Sequence, residues 1–122
     1  MTAILKVDID TKPFKRKAFD QRVIMLCKEL GASYAIVQLA ATRKGTHARV
    51  HVDADLKPAE VVAAQLYLGS DPARELFNLG RIYRKELDDW NVLFIAKWKG
   101  DKKISEEKSL RDYTIKIGER RN

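Results

Sequence analysis

The chain has 122 residues, 45% of them hydrophobic and 34% charged, with a formal net charge of +7. That length suits one domain able to bury its own core, and the composition excludes a disordered polyelectrolyte. No apolar run approaches the roughly 20 residues of a membrane span, so a membrane-spanning helix is excluded too.

In chain order, residues 3–10 alternate: Ala3, Leu5, Val7 and Ile9 share one face, and Lys6, Asp8 and Asp10 the other. This predicts a half-buried strand. From Pro13 to Leu30, the residues Phe19, Val23, Leu26, Cys27 and Leu30 recur at helical spacing. Thr11 is expected to cap that helix, Pro13 to lie in its first turn and Gly31 to end it. Residues 33–42 (SYAIVQLAAT) are β-rich and 43–45 (RKG) read as a turn. Residues 46–54 alternate again, with Ala48, Val50, Val52 and Ala54 inward and His47, Arg49, His51 and Asp53 outward, so the two strands should form a hairpin.

Residues 55–69 predict a second helix, with Asp55 near its cap, Pro58 in the first turn and Gly69 at the end. Residues 70–80 predict a further helical piece capped by Asp71 ahead of Pro72. The segment 81–90 fits helix or strand, 91–98 (NVLFIAKW) a strand, 100–108 (GDKKISEEK) a charged loop, 112–117 a last strand and 118–122 a frayed basic end. The order strand, helix, strand, strand, helix, strand is that of an α+β fold, a ferredoxin-like or RRM-like split βαβ. Its sheet is antiparallel, with helices on one face and the other open to ligands. Residues 1–122 should form a single domain, with 99–122 as a charged loop and basic C-terminal extension.

In this topology the first strand and the second strand of the hairpin are neighbours, expected at the sheet centre. Their outward faces then bring Lys6, Asp8 and Asp10 beside His47, Arg49, His51 and Asp53. Two carboxylates at strand spacing of two repel unless a cation joins them or one is protonated. A hard divalent ion such as Mg²⁺ is often held by one or two carboxylates together with substrate phosphates. Arg43, Lys44, Arg49 and His47 stand near enough in sequence to hold those phosphates. A polar face exposed to solvent is the competing reading of the same residues. The sequence pI of about 9.6 favours a polyanionic partner, DNA or RNA, over a neutral one.

With these residues in view, the chain resembles the archaeo-eukaryotic primase superfamily. "LKVDID" (5–10) resembles its hydrophobic-Asp-x-Asp first motif. "TRKGTHARVHV" (42–52) resembles its second, a glycine turn and a His entering an apolar strand. "LGSDPARELFNLGR" (68–81) followed by "NVLFIAK" is similar to the third-motif region, where the family places an Asp shortly before an Arg. The resemblance implies an RNA-recognition-like core performing metal-dependent nucleotidyl transfer with Mg²⁺ or Mn²⁺. It implies Asp8 and Asp10 as metal ligands, and Asp8, Asp10 and His47 as the catalytic set. His47 would be a triphosphate contact, with Arg43, Lys44, Thr46, Arg49 and Arg81 around the phosphates and Lys97 as a weaker candidate. At the third motif this chain has Asn78-Leu79-Gly80-Arg81, so Asp71, Asp88 and Asp89 are the nearby acids that stand in question.

Two readings stay open: a replication protein that is a minimal primase-like polymerase, acting on DNA or RNA and nucleotides with a replication partner protein, or a non-catalytic single-stranded nucleic-acid-binding or interaction protein of an archaeal plasmid or virus. The start of the chain has no basic segment before a long apolar run, which predicts no leader and a cytoplasmic protein. A lone Cys27 in a helical apolar pattern predicts a buried thiol. His51 lies roughly 13 Å along the strand from His47, too far to share a metal. Tyr67, Tyr83 and Tyr113 lack the His-x-His pair that a strand-nicking nucleophile would need. Trp90, Phe94 and Trp98 fit core or base-stacking roles, and residues 119–122 (ERRN) could add phosphate affinity.

Overall fold

The structure, a computed structural model, describes residues 2–93 and 96–118, with backbone only for 96–99, 104 and 105. Its elements are β1 (Ala3–Ile9), α1 (Arg16–Leu30), β2 (Tyr34–Ala41), β3 (Thr46–Val52), α2 (Pro58–Tyr67), α3 (Pro72–Tyr83), β4 (Ala96–Lys99), β5 (Lys102–Glu106) and β6 (Lys108–Lys116). The fold is α+β. A four-stranded antiparallel sheet runs in the order β1-β3-β2-β6, and β4 and β5 form a separate two-stranded hairpin. Since β3 lies between β1 and β2, the strand–helix–strand unit β1-α1-β2 is split, as the element order implies.

Alternation decides which side chains meet the helices. Leu5 and Val7 of β1, Ala35, Val37 and Leu39 of β2, and Ala48, Val50 and Val52 of β3 are buried with Phe19, Val23 and Cys27 of α1 and Val61, Ala64 and Leu68 of α2. The opposite face carries Lys6, Asp8, Gln38, His47, Arg49 and His51. Register fixes the pairs on it: Asp8 opposite His47, Lys6 opposite Arg49 and Ile4 opposite His51. At the other end of the hairpin the Asp53 carboxylate accepts hydrogen bonds from the Ser33 and Tyr34 amides at 3.0 and 3.2 Å, tying the start of β2 to the end of β3.

Cys27 is fully buried. Burial pushes its thiol up to about 11, with the charge of Asp53 adding to the rise. The thiolate is the reactive form and the buried sulfur is shielded from reagent as well, so native protein should react with a disulfide reagent at least about a hundredfold more slowly than urea-unfolded protein. Rapid reaction without denaturant would remove Cys27 from the core.

Several local expectations are corrected. β1 lies at an edge of the sheet, because the last strand, β6, pairs with β2 and not with β1. The first helix starts at Arg16 with Lys15 at its N-cap, so neither Thr11 nor Pro13 belongs to it. The N-cap of α2 is Lys57, two residues after Asp55, and its amide donates to Glu60 Oε1 at 2.8 Å. Residues 81–83 continue α3, and the chain turns at Lys85 and Asp89, both at positive φ. The segment 102–106 is strand, not loop. Its charged residues Lys102, Lys103 and Glu106 are exposed, which hides the apolar alternation that would announce it. β6 is longer than 112–117, beginning at Lys108. Phe94, the side chains of Lys97 and Trp98, and residues 119–122 lie outside the described residues. No described helix is long and apolar enough to cross a membrane.

An exposed edge strand needs partners for its outward amides and carbonyls. On β1 these come from side chains and the α2–α3 junction. The Lys6 amide donates to Gln65 Oε1 at 2.8 Å and the Asp8 amide to Ser70 Oγ at 3.0 Å. The Asp71 amide donates to the Asp8 carbonyl at 2.7 Å, and Arg74 Nη1 to the Lys6 carbonyl at 2.9 Å. Glu75, 1% exposed, organises these groups. It accepts from Gln65 Nε2 and Ser70 Oγ, each at 2.7 Å, from Asn78 Nδ2 at 3.1 Å and from Arg74 Nη1. This buried cluster seats the N-terminus of α3 against the edge of β1 at the position of Asp8.

Candidate functional site

The end of β1, the 42–45 turn, one face of α3, the 89–93 segment and the segment around Glu106 and Glu107 enclose a cleft of about 400 Å³. Its lining includes Asp8, Asp10, Arg43, Lys44, His47 and Arg81, and also Asp71, Arg74, Asn78, Asp89, Glu106 and Glu107. Asp8, Asp10 and His47 therefore line one cavity with three of the expected phosphate contacts, Arg43, Lys44 and Arg81.

Gly45 sets this geometry. The Thr42 amide donates to the Gly45 carbonyl, and the Gly45 amide to Thr42 Oγ1, both at 2.9 Å. The turn closes so tightly on β1 that a Cβ at Gly45 would lie 1.9 Å from the Ile9 carbonyl oxygen. Lys12 Nζ also donates to the Arg43 carbonyl at 2.9 Å. Together these contacts hold Arg43 and Lys44 beside Asp10.

His47 is 6% exposed and lies between two carboxylates. Its Nε2 is 3.5 Å from Asp8 Oδ1, and its Nδ1 is 2.9 Å from Glu107 Oε2. Burial alone would lower its pKa. The hydrogen bonds and negative charges of Asp8 and Glu107 outweigh that and raise it above the ordinary value. Glu107 also takes Arg49, with Nη1 at 3.1 Å and Nη2 at 3.4 Å. Burial would raise the Glu107 carboxyl, but its bonds to His47 and Arg49 bring it below the usual glutamate range. Glu107 escaped the sequence reading because 60 residues separate it from His47 and it falls in a run of charges with no periodicity.

Two predicted phosphate contacts are placed elsewhere. Thr46 is buried on the helix-facing side of β3, one residue out of phase with His47. Arg49 lies on the sheet face and is engaged by Glu107, outside the lining of the cleft. His51 Nε2 pairs with Gln38 Oε1 at 3.0 Å. Tyr113 does not face the cleft: its hydroxyl donates to Asp20, and Arg16 stacks over its ring at 4.1 Å.

The third acid has a geometric answer in part. Asn78 is buried in the Glu75 cluster, its Oδ1 accepting from Arg81 Nη1 at 3.1 Å. Asp71 instead reaches the cleft, carried there by its backbone bond to Asp8, while its side chain caps α3 through the Arg74 amide at 3.3 Å. Asp89 also lines the cleft, and Asp88 is not in its lining. Among the described residues no three His, Cys, Asp or Glu side chains converge as a metal cage. Asp8, in β1, and Asp10, one residue past its end, both line the cleft; two carboxylates hold a hard ion only where ligand phosphates complete its shell. Comparison of the chain with protein-family models, with curated proteins and with solved structures gave no match to any of them.

Proposed function

We propose that this chain is a nucleic-acid-binding protein that performs metal-dependent nucleotidyl transfer, in the manner of a minimal primase-like core. One observation carries the reading: a single cleft lined by Asp8, Asp10 and His47 and rimmed by Arg43, Lys44 and Arg81. Carboxylates and cations side by side suit a polyphosphate that brings its own divalent ion, whereas a plain anion site would exclude the acids.

Asp8 and Asp10 would hold Mg²⁺ or Mn²⁺, which neutralises charge developing on the phosphates. Arg43 and Lys44 orient the phosphate tail from the turn. Arg81, aimed by its bond to Asn78 Oδ1, approaches from α3. Asp71 is the third acid. His47 meets the phosphates from the sheet floor. The basic surface supplies template or primer contacts, DNA or RNA, in a cytoplasmic replication setting with a partner protein.

A second reading keeps the binding and drops the turnover. It is favoured by Asn78, which occupies the third-motif position as a buried neutral amide. Primer extension with Mn²⁺ separates the two. Wild type should extend, and Asp8→Ala/Asp10→Ala should lose at least about a hundredfold in rate. Undiminished activity in the double variant would remove the metal assignment. Salt-dependent oligonucleotide binding without extension by wild type would establish the second reading.

A further inference from the structure

Glu107 is held as a ligand would be. It sits between β5 and β6, where the separate hairpin joins the main sheet. Its carboxylate accepts from His47 Nδ1 at 2.9 Å and from two nitrogens of Arg49 at 3.1 and 3.4 Å. Forked guanidinium binding with a neighbouring imidazole is the way proteins grip a phosphate. Lys6, opposite Arg49 in the register, adds a third cationic group on the same face. Glu107 also lines the cleft, which Arg49 does not, so one carboxylate is shared by the cleft and Arg49.

We propose that Glu107 is a built-in competitor for phosphate: it occupies an anion subsite made by His47 and Arg49, and a bound phosphate displaces it together with the β5–β6 connection. The inference rests on the reading of the cleft as a phosphate site. With Glu107 displaced, His47 and Arg49 lose their shared acceptor and a ligand oxygen takes its place. Arg49, which the sequence assigned to phosphate and which the lining of the cleft omits, becomes a ligand contact only in that state. The hairpin β4–β5, in a sheet of its own, can move without breaking the ladder of β1, β3, β2 and β6.

The test is binding of inorganic tripolyphosphate, with saturating Mg²⁺, to the full chain by calorimetry. A latch closed in roughly nine molecules of ten weakens apparent affinity about tenfold. Glu107→Gln should therefore bind about tenfold tighter than wild type, and adding Arg49→Gln should cancel the gain. Glu86→Gln makes the same change of charge at an exposed carboxylate outside the cleft that pairs with Arg84, and should gain less than about twofold. Equal gains in the two single variants would reduce the effect to net charge and overturn the latch. Binding by wild type with no gain in Glu107→Gln would overturn the latch and leave the phosphate site standing. No binding by any variant would overturn both. Hydrogen exchange on wild type covers the case in which Glu107→Gln misfolds: the amides of 106 and 107 should exchange faster when tripolyphosphate binds, and unchanged or slower exchange with ligand bound contradicts the displacement.

Discussion

Gly45→Ala should be the most damaging small substitution in the chain. The added methyl would lie 1.9 Å from the Ile9 carbonyl oxygen and 2.9 Å from its carbon. Both are backbone atoms, so no side-chain rotation relieves the contact. Either the 42–45 turn or the end of β1 must move. Overpacking costs about 1–3 kcal/mol, occasionally more, and a collision with backbone belongs at the top of that range. For a domain of this size the melting temperature should fall by roughly 10 °C. The functional loss should exceed the thermal one, because the displaced elements carry Arg43 and Lys44 on one side and Asp8 and Asp10 on the other. Ala at Gly31 offers a contrast: that glycine has open space around it, and only its positive φ of 70° resists the change. Thermal melts of the two variants decide the point. A Gly45→Ala protein as stable as wild type would show that the turn does not press on β1.

Glu75→Ala should rank beside it. The side chain is fully buried, and Arg74, its ionic partner, is 12% exposed. Removing one member of a buried pair leaves the other charge uncompensated, at about 3–5 kcal/mol. Here Gln65, Ser70 and Asn78 lose their acceptor as well, and these groups in turn hold the outer edge of β1. The urea midpoint should fall by roughly 1.5–2 M. Glu86→Ala, which breaks a solvated pair with Arg84, should leave the midpoint where it is. If both variants melted alike, the buried cluster would not be what binds α3 to β1. A milder outcome is expected for Glu75→Gln, which keeps the volume and part of the acceptor capacity but turns one donor toward other donors.

These two sites differ in how far the sequence announced them. Gly45 was visible as part of a turn between a β-rich segment and an alternating one, although its contact with Ile9 needed the fold. Glu75 falls in the first turn of the helix expected over 70–80, and a glutamate is ordinarily solvent-exposed. Only the seating of α3 against an edge strand makes it a buried hub. Alternation placed Leu5 and Val7 inward and Asp8 and His47 outward, and topology brought their two strands together, while the pairing of Asp8 with His47 needed the register. The position of β1 at the edge did not follow, because it depends on where β6 pairs, and the long charged stretch before β6 hides that choice. Glu107 was out of reach for the same reason. Its role comes from tertiary contact with His47 and Arg49, with no periodic signal around it.

The cleft's chemistry can be located directly. Mn²⁺ added with a nucleoside triphosphate to ¹⁵N-labelled protein broadens the amide signals nearest the ion. The expected result is early loss of signals from 8–10, 43–47 and 71, with little effect on the remote helix α1, and no such pattern in Asp8→Ala/Asp10→Ala. Broadening centred elsewhere, or an unchanged pattern in the double variant, would contradict a divalent ion held by Asp8 and Asp10 in this cleft.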